Sequence, residues 1–335
     1  MSDSLHPDIP GIDQNVFSAL QSLKELPKIQ KALDIALKQT DQAMTEQVEI
    51  CEIPSPTFHE EKRAEEIARR MKAYGLTDVT IDAIGNVVGV RKGSGHGPVL
   101  VIDAHMDTVF PEGTDVTVRR EGDTYYAPGI GDNTSGVRAL LQLIRCFNEA
   151  DIQTEGDIIF VGTVGEEGNG DIRGAKFICN GDRHIDGYIA IDSFTAGVVV
   201  MGGVGCHRWR VGICGPGGHS FMDFGKIPSA IHAMCHAGHL IDQLTPPSEP
   251  YTTFNIGTIK GGTSVNTIAP SCEVDVDIRS ISNEELLKLE AQIFQAFEDG
   301  VAEEKKRWGI TDPEKMLKLT KTQIGDRPAG ARPDD

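Results

Sequence analysis

"PVLVIDAHMDTV", residues 98–109, runs from an apolar stretch into a histidine, with an aspartate two places further on. Val99, Leu100, Val101 and Ile102 follow one another without polar alternation, which reads as a strand buried on both faces, as in the parallel core of an α/β sheet. Side chains two apart share a face, so His105 and Asp107 emerge together at the carboxyl end of this strand. That edge is where open α/β sheets build their sites. An isolated His-x-Asp is a weak signal, because a capping pair has the same spacing. Its meaning depends on what the rest of the chain brings to it.

On either side of this strand the pattern alternates. "DVTID" and "NVVGVRK" precede it as strands, and "DIIFVGTV" and "DGYIAID" follow. Helices are expected over 14–52, ending at the two prolines of "IPSPT", over Phe58 to Tyr74 with Gly75 as its C-cap, at "VRALLQLIRCF", and briefly at "DIRGAKFICN". This predicts an α/β domain over residues 1–204 whose sheet is covered by helices. Past Gly205 the order becomes strand ("CHRWRVGICG"), helix (Pro228 to Leu244), strand ("YTTFNIGTIKGG"), strand ("SCEVDVDIRS") and helix (Glu284 to Phe297). A small inserted α+β domain is expected over 205–315, and 316–335 is expected to begin the return to the first domain.

A length of 335 residues exceeds one ordinary core, in keeping with two domains. The net charge of −18 argues against nucleic acid or an anionic membrane face as partner, since both need clustered Lys and Arg. The start, "MSDSLHPDIPGIDQ", lacks a basic segment followed by an apolar one, and no stretch is apolar for the length of a membrane span, so a cytoplasmic protein is expected. Seven cysteines without a Cys-x-x-Cys pair fit reduced thiols rather than a disulfide frame.

Acids recur at the ends of the strands. Asp132 lies in the glycine-rich "APGIGDNTSG" ahead of a helix, Glu166 and Glu167 follow the buried "DIIFVGTV", and Asp192 ends "YIAID". Uncompensated carboxylates on one rim would repel strongly, and a divalent cation resolves that conflict. Histidine with carboxylates and no cysteine suits zinc, with manganese or cobalt as substitutes. One histidine and this many acids exceed what one tetrahedral ion uses, which points to two ions bridged by a carboxylate, an arrangement that polarises a carbonyl and activates water. Of two adjacent glutamates, one can bind metal while the other shuttles a proton.

In this order, "DAHMDTV", "PGIGDN", "GTVGEEGNGDIRGAK" and "IDS" resemble the co-catalytic dizinc exopeptidase and deacylase family, which includes aminotripeptidase, glutamate carboxypeptidase, aminoacylase and acetylornithine deacetylase. The resemblance runs from about residue 45 onward. It implies that His105 and Asp192 hold one ion and Glu167 the other, that Asp132 bridges them, that Asp107 orients the His105 imidazole, and that Glu166 is the general base. The second domain resembles the family's lid and dimerisation domain, which implies a homodimer. By the same resemblance His219 of "GPGGHS" contacts the substrate and helps stabilise the oxyanion, with Asn266 as a polar contact and Arg279 as a grip for a substrate carboxylate. An ion pair with Asp275 or Asp277 is the alternative for Arg279. "IHAMCHAGHL" sets His232, His236 and His239 on one helical face, but without the glutamate of His-Glu-x-x-His it reads as a polar face.

The family pattern also includes a metal-binding histidine near its C-terminus, and this chain has no histidine after His239. The expectation is therefore a shortened member whose second metal site is weakened. The leading reading is a metal-dependent hydrolase that cleaves an amide bond of a small peptide. The alternatives are an N-acyl amino acid deacylase and an inactive member acting as a dimerising or binding module.

Overall fold

The computed structural model describes residues 13–192 and 197–331. Between Val198 and Val199 the chain divides into two compact units.

The first unit opens with α1 (Gln14–Lys24), α2 (Pro27–Lys38) and α3 (Thr40–Cys51). The helical stretch expected over 14–52 is thus three helices. Pro27 cannot continue a helix but opens α2 at its first position, and the chain turns again at Gln39. No residue of α1 or α2 is fully buried, whereas α3 buries Ala43 and Ile50. Then come α4 (Glu61–Ala73), closed beyond its end by Gly75 at φ 96°, and β1 (Asp78–Ile81), β2 (Val87–Arg91) and β3 (Leu100–His105). A small hairpin absent from the sequence reading, β4 (Arg119–Glu121) and β5 (Thr124–Tyr126), precedes α5 (Thr134–Glu149), β6 (Ile158–Thr163), α6 (Arg173–Cys179) and β7 (Gly187–Ala190).

The sheet has the order β1-β2-β6-β3-β7, with β6, β3 and β7 parallel and β1 and β2 antiparallel. Alternate residues of β3 and β6 face opposite ways. Ile102, Ala104 and Phe160 join Ile67 and Met71 of α4 and Leu140, Leu141 and Ile144 of α5 in the main core. Val101, Ile159 and Val161 form a thinner layer on the other face with Ile178 of α6 and Tyr188. Helices lie on both faces, which is why these strands read as unbroken apolar runs.

The second unit comprises β8 (Gly202–Gly203), β9 (Gly205–Cys214), β10 (Gly218–His219), α7 (Ala230–Asp242), β11 (Thr252–Gly261), β12 (Thr267–Ile268), β13 (Ser271–Ser280), α8 (Asn283–Trp308), β14 (Lys318–Arg327) and β15 (Gly330–Ala331). Its antiparallel sheet has the order β11-β13-β9-β14. Cys272, Val274, Val276 and Ile278 alternate inward along β13 and pack against Ala233 and Met234 of α7 and Leu289, Ile293 and Phe297 of α8. Helix α8 runs past the expected end at Phe297 because "AEEKKRW" carries strong helix formers, and it stops where Gly309 adopts φ 60°. The stretch expected to begin a return to the first domain from 316 belongs to this unit. Lys318–Arg327 pairs antiparallel with β9 as an edge strand, and Gly330 pairs with Gly203. Backbone pairing to a distant strand, invisible in local pattern, decides this correction.

Candidate metal centre

Because β6, β3 and β7 are neighbours and parallel, their carboxyl ends share one edge of the sheet. His105 closes β3, Glu166 and Glu167 follow β6, and Asp192 follows β7. Asp132 precedes Asn133, the N-cap of α5, whose Oδ1 accepts the Gly136 N–H at 3.0 Å. The Asn133 Nδ2 donates to the Ile191 carbonyl at 2.8 Å, tying the Asp132 turn to the residue beside Asp192. Gly136 is required here, since a Cβ would lie 2.2 Å from Asn133 Oδ1 and 2.3 Å from the Ile191 oxygen.

The His105 ring is buried, with Nδ1 at 3.1 Å from the carbonyl oxygen of Asp107 and 3.5 Å from its carboxylate. Its Nε2 lies 3.0 Å from Asp132 Oδ1 and 3.9 Å from Asp192 Oδ2. One ligand atom each from His105, Asp132 and Asp192 fall within 4.8 Å of one another, and so do those of His105, Glu166 and Glu167. Asp107 has no exposed surface. Its carboxylate accepts the backbone N–H groups of Glu166 at 2.9 Å and Glu167 at 3.1 Å and the Thr57 hydroxyl at 2.9 Å. It therefore braces the paired-glutamate loop as well as the histidine.

The electrostatics show the crowding of charge. Burial, then the neighbouring charges of Asp132 and Glu166, push the Glu167 carboxyl up to about 7. Burial likewise raises Asp192, with the Asp132 charge adding to it. Burial disfavours the charged His105 ring, but hydrogen bonds to Asp107 and Asp132 outweigh it and raise the imidazole to about 10. Burial would also raise Asp107, yet His105 and the Glu166 N–H hold it below the usual carboxylate range. A divalent cation at this edge would relieve the same crowding of charge. The donor set of one imidazole nitrogen and carboxylates without a thiolate fits zinc, manganese or cobalt. A cavity of about 220 Å³ opens beside His105, Glu166 and Asp192, walled by Tyr188 and Ile191.

Three supporting residues escaped the sequence reading. Thr57 and Glu60 lie in the loop before α4, and Glu60 accepts the Gly165 N–H at 3.0 Å and an Arg173 N–H at 2.9 Å, anchoring the loop that carries Glu166. Only tertiary packing brings that loop here. Asp103, buried and accepting the Thr163 hydroxyl at 2.8 Å, was within reach of the period-two rule that found His105, since it lies two residues earlier on the same strand.

In the second unit, β10 pairs with β12, which sets His219 opposite Thr267 and next to the Asn266 turn. The Asn266 carbonyl accepts the Ser220 N–H at 2.9 Å. His219 is exposed, and its Nδ1 accepts the N–H groups of Phe221 at 3.2 Å and Met222 at 3.4 Å, which leaves the proton of the neutral ring on Nε2. Arg279 is not brought to them within this unit. It sits near the far end of β13, roughly 27 Å along the strand from Ser271 at the usual rise, and its Nε donates to Asp277 Oδ2 at 2.7 Å.

Residues 202–305 match the family described as the M20 peptidase dimerisation domain, and residues 86–200 match peptidase family M28. The Bacillus subtilis protein YqjE is 28% identical over 282 residues, covering 78% of this chain and 72% of that protein. Carboxypeptidase G2 of a Pseudomonas species is 28% identical over 207 residues, covering 60% of this chain and 48% of its own length. The crystal structure of a Staphylococcus aureus tripeptidase aligns with a TM-score of 0.68 at 24% identity, over 88% of this chain and 78% of that one. The yeast dipeptidase Dug1p aligns at 0.66 and 12%, over 90% and 81%. At these identities the structural likeness speaks to the fold. No helix among the described residues is long and apolar enough to cross a membrane.

Proposed function

We propose that this chain, which matches a peptidase dimerisation domain over residues 202–305 and peptidase family M28 over residues 86–200, is a metallopeptidase of the M20/M28 kind that hydrolyses an amide bond of a small peptide, next to a free terminus, at the His105 centre. The observation that carries this reading is the convergence of His105 with Asp132 and Asp192, and with Glu166 and Glu167, at one sheet edge. In this reading His105 Nε2 and Asp192 would hold one divalent ion and Glu167 another, with Asp132 shared between them. Such ions, zinc in the first place, would supply Lewis-acid polarisation of the scissile carbonyl and a lowered pKa for water.

The chain's own residues supply the rest. Asp107, through its backbone carbonyl, keeps the His105 proton on Nδ1 and so presents Nε2 as a bare donor. Glu166 accepts the proton of the attacking water as its oxygen bonds to the carbonyl carbon, then delivers it to the leaving nitrogen as the C–N bond breaks. His219, Asn266 and Arg279 are proposed to bind the substrate and stabilise the oxyanion. The second unit is proposed to join two copies into a homodimer. The cytoplasm is its proposed location, a reading supported by seven free cysteines.

The test is a panel of dipeptides, tripeptides and N-acyl amino acids assayed with metal-depleted protein and after adding zinc, manganese or cobalt. Turnover of peptides that depends on metal and vanishes with chelator is expected. Preference for the N-acyl amino acids would move the substrate class to that of a deacylase. A folded sample inert with every metal would overturn the enzymatic reading in favour of a dimerising module.

A further inference from the structure

We propose that the cavity beside His105 is a pocket for the terminal ammonium of a lysine or ornithine side chain, held by Asp103 and Tyr188. The proposal rests on the peptide reading above and names its substrate class. Asp103 shares a face of β3 with His105 and, at the usual rise, sits roughly 6–7 Å back along the strand from it. That face looks toward α6, and a cavity of about 220 Å³ there is lined by both residues, with Glu166 and Asp192 bordering it at the His105 end.

Asp103 is 5% exposed. Its Oδ2 accepts the Thr163 hydroxyl at 2.8 Å, while Oδ1 is buried without a hydrogen-bond partner among the described residues. Tyr188 of the neighbouring β7 brings its hydroxyl close enough to act on this carboxylate, yet that hydroxyl is also buried and unbonded. Among the described residues no lysine or arginine pairs with Asp103. A buried carboxylate with an idle oxygen is costly until a positive donor meets it. The remaining walls are apolar, from Ile172, Ala175, Ala190 and Ile191. Water fills such a space poorly, since each molecule takes about 30 Å³ and needs roughly two to four polar partners. An alkyl stem ending in an ammonium meets both needs. Its methylenes lie against the alanine and isoleucine walls, one N–H reaches Asp103 Oδ1 and another the Tyr188 oxygen. A guanidinium is matched less well, because its planar fork wants two free carboxylate oxygens and Thr163 already occupies one. Since the cavity opens at the His105 centre, the side chain it reads belongs to the residue next to the scissile bond.

Calorimetric titration of Nα-acetyl-lysinamide and Nα-acetyl-norleucinamide into the full chain, with zinc present throughout, tests the pocket without requiring turnover. The two probes differ only in the side-chain ammonium. The lysine probe is expected to bind at least about 10-fold more tightly. D103N keeps the size and can still accept the Thr163 hydroxyl, and it is expected to abolish that preference at an unchanged melting temperature. Y188F is expected to weaken the preference and serves as the deciding variant if D103N does not fold. Equal affinity of the two probes for the unaltered chain overturns the pocket, and so does binding of neither. A lysine preference untouched by the substitutions places the ammonium on another of the chain's many acids and overturns it as well. Hydrolysis separates the two claims: peptide turnover without a lysine preference leaves the peptidase reading standing and removes the pocket, whereas a lysine preference in binding without turnover does the reverse.

Discussion

His105 has one nitrogen to offer a cation because the other faces the Asp107 carbonyl at 3.1 Å. The Asp107 carboxylate in turn accepts two backbone N–H groups from the glutamate pair, so a single buried acid sets the positions of an imidazole and of a loop. Of the two glutamates, Glu166 carries the proton-transfer role in the proposed mechanism and Glu167 the metal role. E166Q keeps the size and the loop hydrogen bonds but cannot take up a proton. Its turnover is expected to fall by about 10²–10⁴-fold with the bound-metal content unchanged, as read by steady-state kinetics beside elemental analysis. A fall in metal content of the same size would exchange the two roles.

At the scale of elements, the centre depends on three parallel strands ending together and on α3, α4 and α5 holding the sheet from one face. Helices α3 and α4 are joined through Arg70, whose Nη1 and Nη2 lie 3.1 Å from Glu46 and 2.7 Å from Glu49, with Nε 2.7 Å from Glu66. Hydrogen bonds from Arg69 first, and from Arg70, hold the Glu66 carboxyl at about 2, against an ordinary 4.5, although partial burial opposes them. Because the folded-state value is the lower one, the unfolded chain takes up the proton first as pH falls. The stabilisation is therefore complete above about pH 4.5 and lost progressively toward pH 2. E66Q is expected to be less stable than the unaltered chain by about 1–2 kcal/mol at pH 7, once solvent screening is allowed for. That gap narrows as pH drops below 4.5. Urea midpoints at pH 7, 5, 4 and 3 check this, and a gap that does not change with pH would remove the ion pairs from the explanation.

For the molecule as a whole, two units have separate cores, the first presenting the candidate metal centre at a sheet edge and the second matching a peptidase dimerisation domain. In the second unit β11 is an edge strand, and Ile259 on it is exposed, as are Phe221, Met222 and Val265 around the β10–β12 ribbon. Unpaired edges and grouped apolar side chains are typical of surfaces that associate. Light scattering is expected to give twice the monomer mass at micromolar concentration, and replacing Ile259 with lysine to shift the population toward monomer. A monodisperse monomer before any substitution would count against the homodimer.

Much of the candidate metal centre was legible in the amino-acid order alone, because most of its residues sit at or just beyond strand ends, which are marked locally. An apolar run stops and period-two geometry assigns the face, as for His105 and Asp107, while Asp192 follows the end of β7 and Asp132 lies in a glycine-rich turn ahead of a helix. Helix α4 was legible for the same reason, down to Gly75 beyond its end, whereas the division of 14–52 into three helices and the full length of α8 were not. What only the tertiary structure decided involves partners far apart in the chain: the loop of Thr57 and Glu60 against the paired glutamates, the ion pair of Arg279, and the pairing of β14 with β9. Periodicity and turn chemistry are properties of contiguous residues. Which charge meets which across a packed interface depends on how whole elements dock, and that is set by the sum of many apolar contacts rather than by any short stretch of sequence.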